Sequence, residues 1–443
     1  MLKTIMPLSL IIAFRFLGLF IVLPIISVYA LSLPGSTPTL VGIVIGGYAI
    51  TQMLLQIPFG IMSDKLGRKG TIVTGLLLFA IGSVLCAISN DILTLMMGRF
   101  LQGAGAIGSV VTAMISDLVK EEQRPKAMAM MGGSIAASFA IAMLAGPTIG
   151  SYAGIHSLFW ITAVLALSSI YIVLKLVPNP PHVIHTYHNT SKFAFLKNPE
   201  LIKMNITNFL QKGMMTFAFM MIPIILTKSY GWELADLWKL YLPAMIAGIF
   251  AMGPAAVLAE KRGKFKEVLF LGIFFFALSY YLIGNSSSDT IFLVGVIVFF
   301  IGFNMHEPIM QSLTTRYVKV HEKGKVLGLF NSFGYFGTFI GGFVGGLYLK
   351  EVDGSFLQSV QDISSFIVIL CIAWLVLVAT LPNPLKKRNA YIPLEETDES
   401  KYSKLDTTEG CDEWYINNTE KIVIVKYDAH IIDEDKIRQI IAS

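Results

Sequence analysis

The chain has 443 residues, of which 54% are apolar and only 14% charged, and its mean hydropathy is +0.67. Soluble domains carry about 25% charged residues, so a water-solvated globular enzyme is excluded and a polytopic membrane protein is indicated. The net charge of +5 does not point to nucleic acid, because the basic residues lie in loops between apolar runs, where such charge sets membrane orientation.

Taken in chain order, the apolar runs predict twelve helical spans. They fall at 5–31, 39–61, 71–89, 93–116, 127–150, 158–177, 201–227, 238–259, 268–284, 290–313, 326–349 and 362–381. Each is long enough to cross about 30 Å of hydrocarbon, and a helix satisfies its own backbone there. The first run is too long and too poorly flanked to be a cleavable signal peptide. Connections alternate in character. "SLPGSTPT", "SND", "SYAGIHS" and "NSSSD" are nearly free of positive charge, whereas the others carry Lys65, Arg68 and Lys69, then Lys120, Arg124 and Lys126, then Lys261, Arg262, Lys264 and Lys266, then Arg316, Lys319, Lys323 and Lys325. The basic set marks the cytoplasmic side, so both termini are expected there.

The chain also repeats itself. Pro58, Asp64, Lys65, Gly67 and Arg68 align without gaps to Pro254, Glu260, Lys261, Gly263 and Lys264, and the halves close alike in "VPNPP" and "LPNPLKK". Six spans repeated in parallel imply two bundles related by an axis along the membrane normal, with a substrate path between them near the midplane. The expected division is a six-helix bundle over 1–177, a cytoplasmic loop over 178–200, a second bundle over 201–384 and a cytoplasmic domain over 385–443. In the loop, His182, His185 and His188 recur every three residues behind prolines that oppose a regular helix, so a solvated loop is expected there. The three cysteines, Cys86, Cys371 and Cys411, are scattered and make neither a disulfide framework nor a metal site. No metal or other cofactor is expected. The tail reads as a strand at "AYIPLE", a polar helical stretch, a strand pair at "CDEWYINN" and "EKIVIVKYDA", and a helix at "DEDKIRQIIAS". A β-α-β-β-α order in about 55 residues suggests a small α+β, ferredoxin-like fold near the lower size limit for independent folding.

The stretch "GIMSDKLGRK", with Gly60, Asp64, Gly67, Arg68 and Lys69, resembles the signature between the second and third helices of the major facilitator superfamily. "GRFLQGAGAIG", with Arg99, Gln102 and Gly103, resembles the fourth-helix motif of its drug:proton antiporters. "AMLAGPTIG", with Gly146, Pro147 and Gly150, resembles their fifth-helix motif, although Ala142 and Ser151 stand where glycines are usual. "RFLGLFIVLP", "SDLVKEEQRPKAMAM", "FNMHEP" and the tail extend the likeness to bacterial members that end in a ferredoxin-like domain. The resemblance implies an all-α fold of twelve transmembrane helices in two pseudo-symmetric bundles, placed in a bacterial inner membrane and working by alternating access. It implies proton-coupled export of small amphipathic or drug-like molecules, and a charge relay in which Arg68 pairs with Asp117.

Glycines in the first motif allow a sharp turn and close helix approach, and Asp64 can meet the positive end of a neighbouring helix. Together with Arg68 and Asp117 it would latch the cytoplasmic side; the alternative is a basic loop that only sets topology. The copy keeps charge but has Ala256 in place of Gly60, so a weaker latch is expected. Ionisable residues inside spans are costly and mark function. Arg15 cannot release its proton, so it anchors an acid, a substrate anion or a helix end, or serves structural hydrogen bonds. Arg99 is expected either to tune a nearby acid or to pack structurally. Glu307 is open to three readings: proton coupling, an ion pair for which Lys212 is a candidate partner, or cargo contact. His306 could influence it, although adjacent helical residues diverge by about 100°. Met214, Met215, Met220 and Met221, with Phe217 and Phe219, either pack the core or line an adaptable apolar cavity.

No phosphate-binding loop or nucleophile–base pair is visible, so enzymatic chemistry is not expected. The expected partners are a small-molecule substrate, protons, the lipid bilayer and a regulatory ligand or partner for the tail. A proton-coupled nutrient symporter is one alternative. Another is a transporter-like sensor that signals through the tail.

Overall fold

The computed structural model describes residues 2–179, 185–186, 197–318, 323–352, 355–382, 387–418, 420–428 and 431–442. Among them, eleven helical segments are long and apolar enough to cross a membrane. One of these, Lys126–Lys175, has 50 residues and turns at Gly154, where φ is +75° and ψ is 160°. A side chain disfavours that conformation, so the glycine in "SYAGIHS" splits one run into two crossings. The total is the expected twelve.

The first half comprises α1 (Leu2–Phe20), α2 (Leu23–Ser32), α3 (Pro38–Leu66), α4 (Arg68–Ala87), α5 (Ile92–Ala104), α6 (Gly108–Leu118) and α7 (Arg124–Lys175). The second comprises α8 (Pro199–Ile224), α9 (Trp238–Glu260), α10 (Phe265–Gly284), α11 (Asp289–Arg316), α12 (Lys323–Tyr348) and α13 (Leu357–Ala379). Neutral turns start helices through side-chain caps: Thr37 accepts from the Leu40 amide at 3.2 Å, Asp91 from Thr94 at 2.9 Å, and Ser288 from Ile291 at 3.4 Å. Leu54, Ile57, Phe250, Phe366 and Ile369 are exposed on the outside, which suits a hydrocarbon solvent.

Two spans predicted as single helices are broken. The first divides between α1 and α2, where Pro24 removes the amide that would bond to the Phe20 carbonyl. The fourth divides between α5 and α6, at Gly105, Ala106 and Ile107.

The halves meet most closely through α3 and α12, at the end opposite the basic loops. A β-carbon on Gly42 would collide with the Gly342 carbonyl, one on Gly342 with the Gly42 carbonyl, and one on Gly346 with the Pro38 carbonyl. Backbone therefore lies directly against backbone, the approach that small residues permit between membrane helices. Thr39 Oγ1 donates to Gly346 O at 3.3 Å, and nearer mid-span Gln52 Nε2 donates to the Tyr335 hydroxyl at 2.6 Å. Towards the basic end the packing loosens: β-carbons on Gly60, Gly132, Gly133, Gly324 or Gly328 would meet nothing.

The tail forms an antiparallel sheet of β2 (Lys387–Pro393), β3 (Cys411–Asn417) and β4 (Ile422–Asp428) with α14 (Glu434–Ile441). β4 lies between β2 and β3, so β2 and β3 run parallel with an antiparallel strand between them, as in a split β-α-β unit. The connecting polar stretch is not the expected α-helix: Glu399–Thr407 is 3₁₀. Only Tyr402 and Leu405 are buried in it, and a spacing of three suits three residues per turn. A further strand, β1 (His185–Thr186), pairs with the free edge of β3. His182 and His188 lie outside the described residues. Val423, Val425, Tyr427, Ile437 and Ile441 form the core of the tail, and Lys426 Nζ donates to the Val318 carbonyl at 2.7 Å, docking the tail beside the end of α11.

Candidate functional site

Phe300, Phe303 and Glu307 share one face of α11, because spacings of three and four residues return to the same side of a helix. Phe139 of the first half lies against Phe300 and Phe303, with ring centroids 6.5 Å away in both cases, and against Phe219 of α8 at 5.8 Å. That stripe therefore faces the opposite half, and Glu307 sits one turn nearer the basic end. Lys212 Nζ donates to both of its carboxylate oxygens, at 2.9 and 3.0 Å, and Gln211 Nε2 adds a bond of 3.3 Å. The ammonium also lies 5.2 Å from the Phe303 ring centroid. The Glu307 side chain is 45% accessible. The pair therefore links α11 to α8.

His306 does not join this pair. It is fully buried, its Nε2 is 2.9 Å from the Leu269 carbonyl, and its ring packs against Phe276 and Trp374. The divergence of adjacent helical residues has sent it into the interior of the second half, so it fastens α11 to α10. Of the methionine cluster, Met214, Met220 and Met221 are buried in the core. Met215 lines a small void between the halves with Leu23, Ile45, Tyr48, Thr216, Phe219 and Thr338.

In the first half, Arg15 and Arg99 are fully buried. Arg15 Nη2 donates to Gly105 O at 2.9 Å and to Gln52 Oε1 at 3.2 Å. Gly105 caps α5, so of the partners considered for Arg15 the structure supplies a helix end. The guanidinium fills the break in the fourth span. Arg99 Nε donates to Val44 O at 3.2 Å and Nη1 to Gln102 Oε1 at 2.7 Å, while Gln102 Nε2 continues to Ser83 Oγ at 2.9 Å. The guanidinium carbon is 4.9 Å from the Tyr48 ring centroid. Of the two readings for Arg99, these partners include no acid; they are a carbonyl, an amide and an aromatic face. Gln52 and Tyr335, neither singled out in the sequence, connect Arg15 across to the second half. Nothing local marks that pairing, which joins residues 283 positions apart.

At the basic end, Arg68 Nε donates to Asp117 Oδ2 at 2.9 Å, and Nη1 bonds Asp64 and Ser63. Arg68 and Asp117 are each about one-fifth accessible, whereas Asp64 is mostly exposed. Gly67 makes the turn before α4 with φ +91°, and Lys69 is half-buried in the first turn of α4. Gly60 makes no close approach here, since a β-carbon would enter open space. The copy in the second half is more than a weak echo. Glu260, at the position of Asp64, bonds Arg316 at 2.6 Å, and the Arg316 guanidinium sits 4.7 Å from the Phe265 ring centroid. Each half thus closes its basic end with an ion pair that reaches the end of its fourth span, but the polarity is reversed. Gly146 and Gly150 of α7 admit the Ile21 carbonyl and the Ile25 side chain, so with Pro147 the fifth-span motif packs against the break in the first span.

The Major Facilitator Superfamily profile matches residues 8–342. The inner membrane transport protein YajR of Escherichia coli (strain K12) is 35% identical over 435 residues, covering 96% of this chain and 94% of that protein. The quinolone resistance protein NorA of Staphylococcus aureus (strain MSSA476) is 27% identical over 347 residues, covering 75% of this chain and 86% of that one. A crystal structure of the nucleoside transporter NupG superposes with a TM-score of 0.67 at 17% identity, covering 85% of this chain and all of that one; at that identity the likeness concerns the fold.

Proposed function

The chain belongs to the major facilitator superfamily, and on that premise we propose that it exports small amphipathic molecules in exchange for protons by alternating access. The observation that carries the coupling is the Glu307–Lys212 pair, in which Glu307 is 45% accessible and stands on the stripe of α11 that faces the opposite half. Proton binding at Glu307 would release Lys212 from α11 and change what the cleft presents to cargo. The resistance protein among the relatives supports a drug-like cargo, and the aromatic wall of Phe139, Phe219, Phe300 and Phe303 suits an apolar body. The work is transport rather than catalysis.

The basic loops and both termini lie in the cytoplasm in this reading, and the membrane is a bacterial inner membrane. The state described is then open inward, closed on the outer side by the glycine contact of α3 and α12. Arg68 with Asp64 and Asp117, and Arg316 with Glu260, act as clasps, formed within each half in this state, that part as the halves rock. The ferredoxin-like tail regulates the carrier through a ligand or partner of its own, and its bond from Lys426 to Val318 O gives it a hold on the second half.

The test is retention of fluorescent amphiphiles by cells with and without the protein, each with and without a protonophore. Lower retention that requires both the protein and the proton gradient supports the reading. Retention of every probe that ignores the protein, alongside ligand-dependent binding of a partner by the tail, would replace it with the sensor.

A further inference from the structure

The charges deep in the spans do not balance. Glu307 is matched by Lys212, and His306 is committed to the Leu269 carbonyl. That leaves Arg15 and Arg99, fully buried in the first half, with only neutral partners among their described hydrogen bonds. Arginine does not discharge its proton, and an unmatched charge at such depth is costly enough to mark function. Nor are the donors exhausted: Arg15 Nε and Nη1 and Arg99 Nη2 are buried without an acceptor among the described residues.

This excess bears on the cleft. Arg99 lies behind Tyr48, which lines the void between the halves. Arg15 is linked through Gln52 to Tyr335 of the other half. Gln52 stands one helical turn from Tyr48, so both occupy one face of α3. Across the void Tyr48 faces the apolar Met215 and Phe219, while Gln52 beside it is bonded to Tyr335.

We propose that the void between the halves, about 10 Å³ in the state described, widens in the transport cycle into a site for an amphipathic organic anion, whose negative group seats against Tyr48, Gln52 and Tyr335 and whose apolar body lies on Met215 and Phe219. This rests on the transport reading and names the class of its cargo. The positive field of Arg15 and Arg99 supplies the preference, and the cargo supplies the charge that the first half lacks.

Fluorescein and rhodamine 123 test it, because they share a xanthene body and differ in charge. Binding of each to the full chain in nanodiscs of zwitterionic lipid is followed by anisotropy. Fluorescein is expected to bind on the order of tenfold tighter. Lys212→Gln should weaken it and Glu307→Gln strengthen it, each several-fold, because each changes the charge of the facing half by one unit. Arg15→Gln and Arg99→Gln should erase the preference; should these buried variants fail to fold, the Glu307–Lys212 pair carries the test alone. Equal or tighter rhodamine binding, binding of neither probe, or indifference to the charge changes overturns the proposal. So does loss of fluorescein binding when chloride replaces sulfate in the buffer, which would assign the positive charge to an inorganic ion. Exchange in proteoliposomes separates the two readings. Fluorescein bound but never exchanged removes transport and leaves the anion site, whereas exchange of rhodamine alone leaves transport and removes the anion class.

Discussion

A single methyl group at Gly42 should push the carrier out of the state described. The Gly342 carbonyl occupies the place of the new β-carbon, and Gly342 and Gly346 crowd the same stretch of α3 with their own backbone. The obstacle is main chain in both helices, so the strain cannot be relieved by a rotamer change. Overpacking of this kind costs about 1–3 kcal/mol, and it is felt only where α3 and α12 touch. If alternating access separates them there, Gly42→Ala moves the equilibrium towards the other state by roughly 5- to 150-fold. Ile45, 1% accessible and lining the void just inside this contact, provides the reporter. In a Cys411→Ser background, labelling of Ile45→Cys by a membrane-impermeant maleimide from the side opposite the basic loops should accelerate within that range. Gly132→Ala is the control, because its β-carbon meets nothing, and it should leave the rate unchanged. Unchanged labelling in folded Gly42→Ala protein, or an equal effect of Gly132→Ala, would refute the reasoning.

The remaining predictions concern the two clasps and the tail. Asp117→Asn and Arg68→Gln should show a coupling of about 0.5–1 kcal/mol in a stability cycle, the range for partly exposed pairs, while slowing exchange several-fold; loss of folded protein in step with activity would make the motif structural. Charge reversal at Glu260 or Arg316 alone should impair exchange, and Glu260→Arg with Arg316→Glu should restore part of it; a double variant no better than either single one would show that the 2.6 Å pair is not what matters. Lys426→Met should release the tail from Val318, seen as faster limited proteolysis before β2, and should leave exchange running. If removal of residues 387–443 abolished exchange in folded protein, the tail would belong to the transport machinery rather than to its regulation.

The long-range order of this fold was readable because membrane solvent imposes long apolar runs, and because duplication repeats Pro58 to Arg68 at Pro254 to Lys264. Local interruptions were harder to see. The break before α2 follows from Pro24, and the break before α6 depends on how Arg15 caps Gly105 from 90 residues away. The partners of Arg68 were legible through a shared motif, but the mirror pair was not, because the second half has no acid at the end of its fourth span and Arg316 there takes Glu260 instead. Glu307 stood out as a carboxylate in an apolar run, and Lys212 was already a candidate partner. For Arg99 the sequence left open a nearby acid or structural packing, and Val44 O, Gln102 and the Tyr48 ring are the partners the fold supplies. The tail strands followed from short runs rich in β-branched and aromatic residues such as "IVIVKY", while its 3₁₀ segment did not, because a short polar stretch carries little that separates one helix type from another.

The most direct measurement is proton flux into proteoliposomes on addition of the amphiphile selected by the retention assay, for the unaltered chain and for Glu307→Gln. Cargo movement by the unaltered chain should carry protons the opposite way, and Glu307→Gln should exchange cargo without proton flux. Equal proton flux in both would contradict coupling at Glu307.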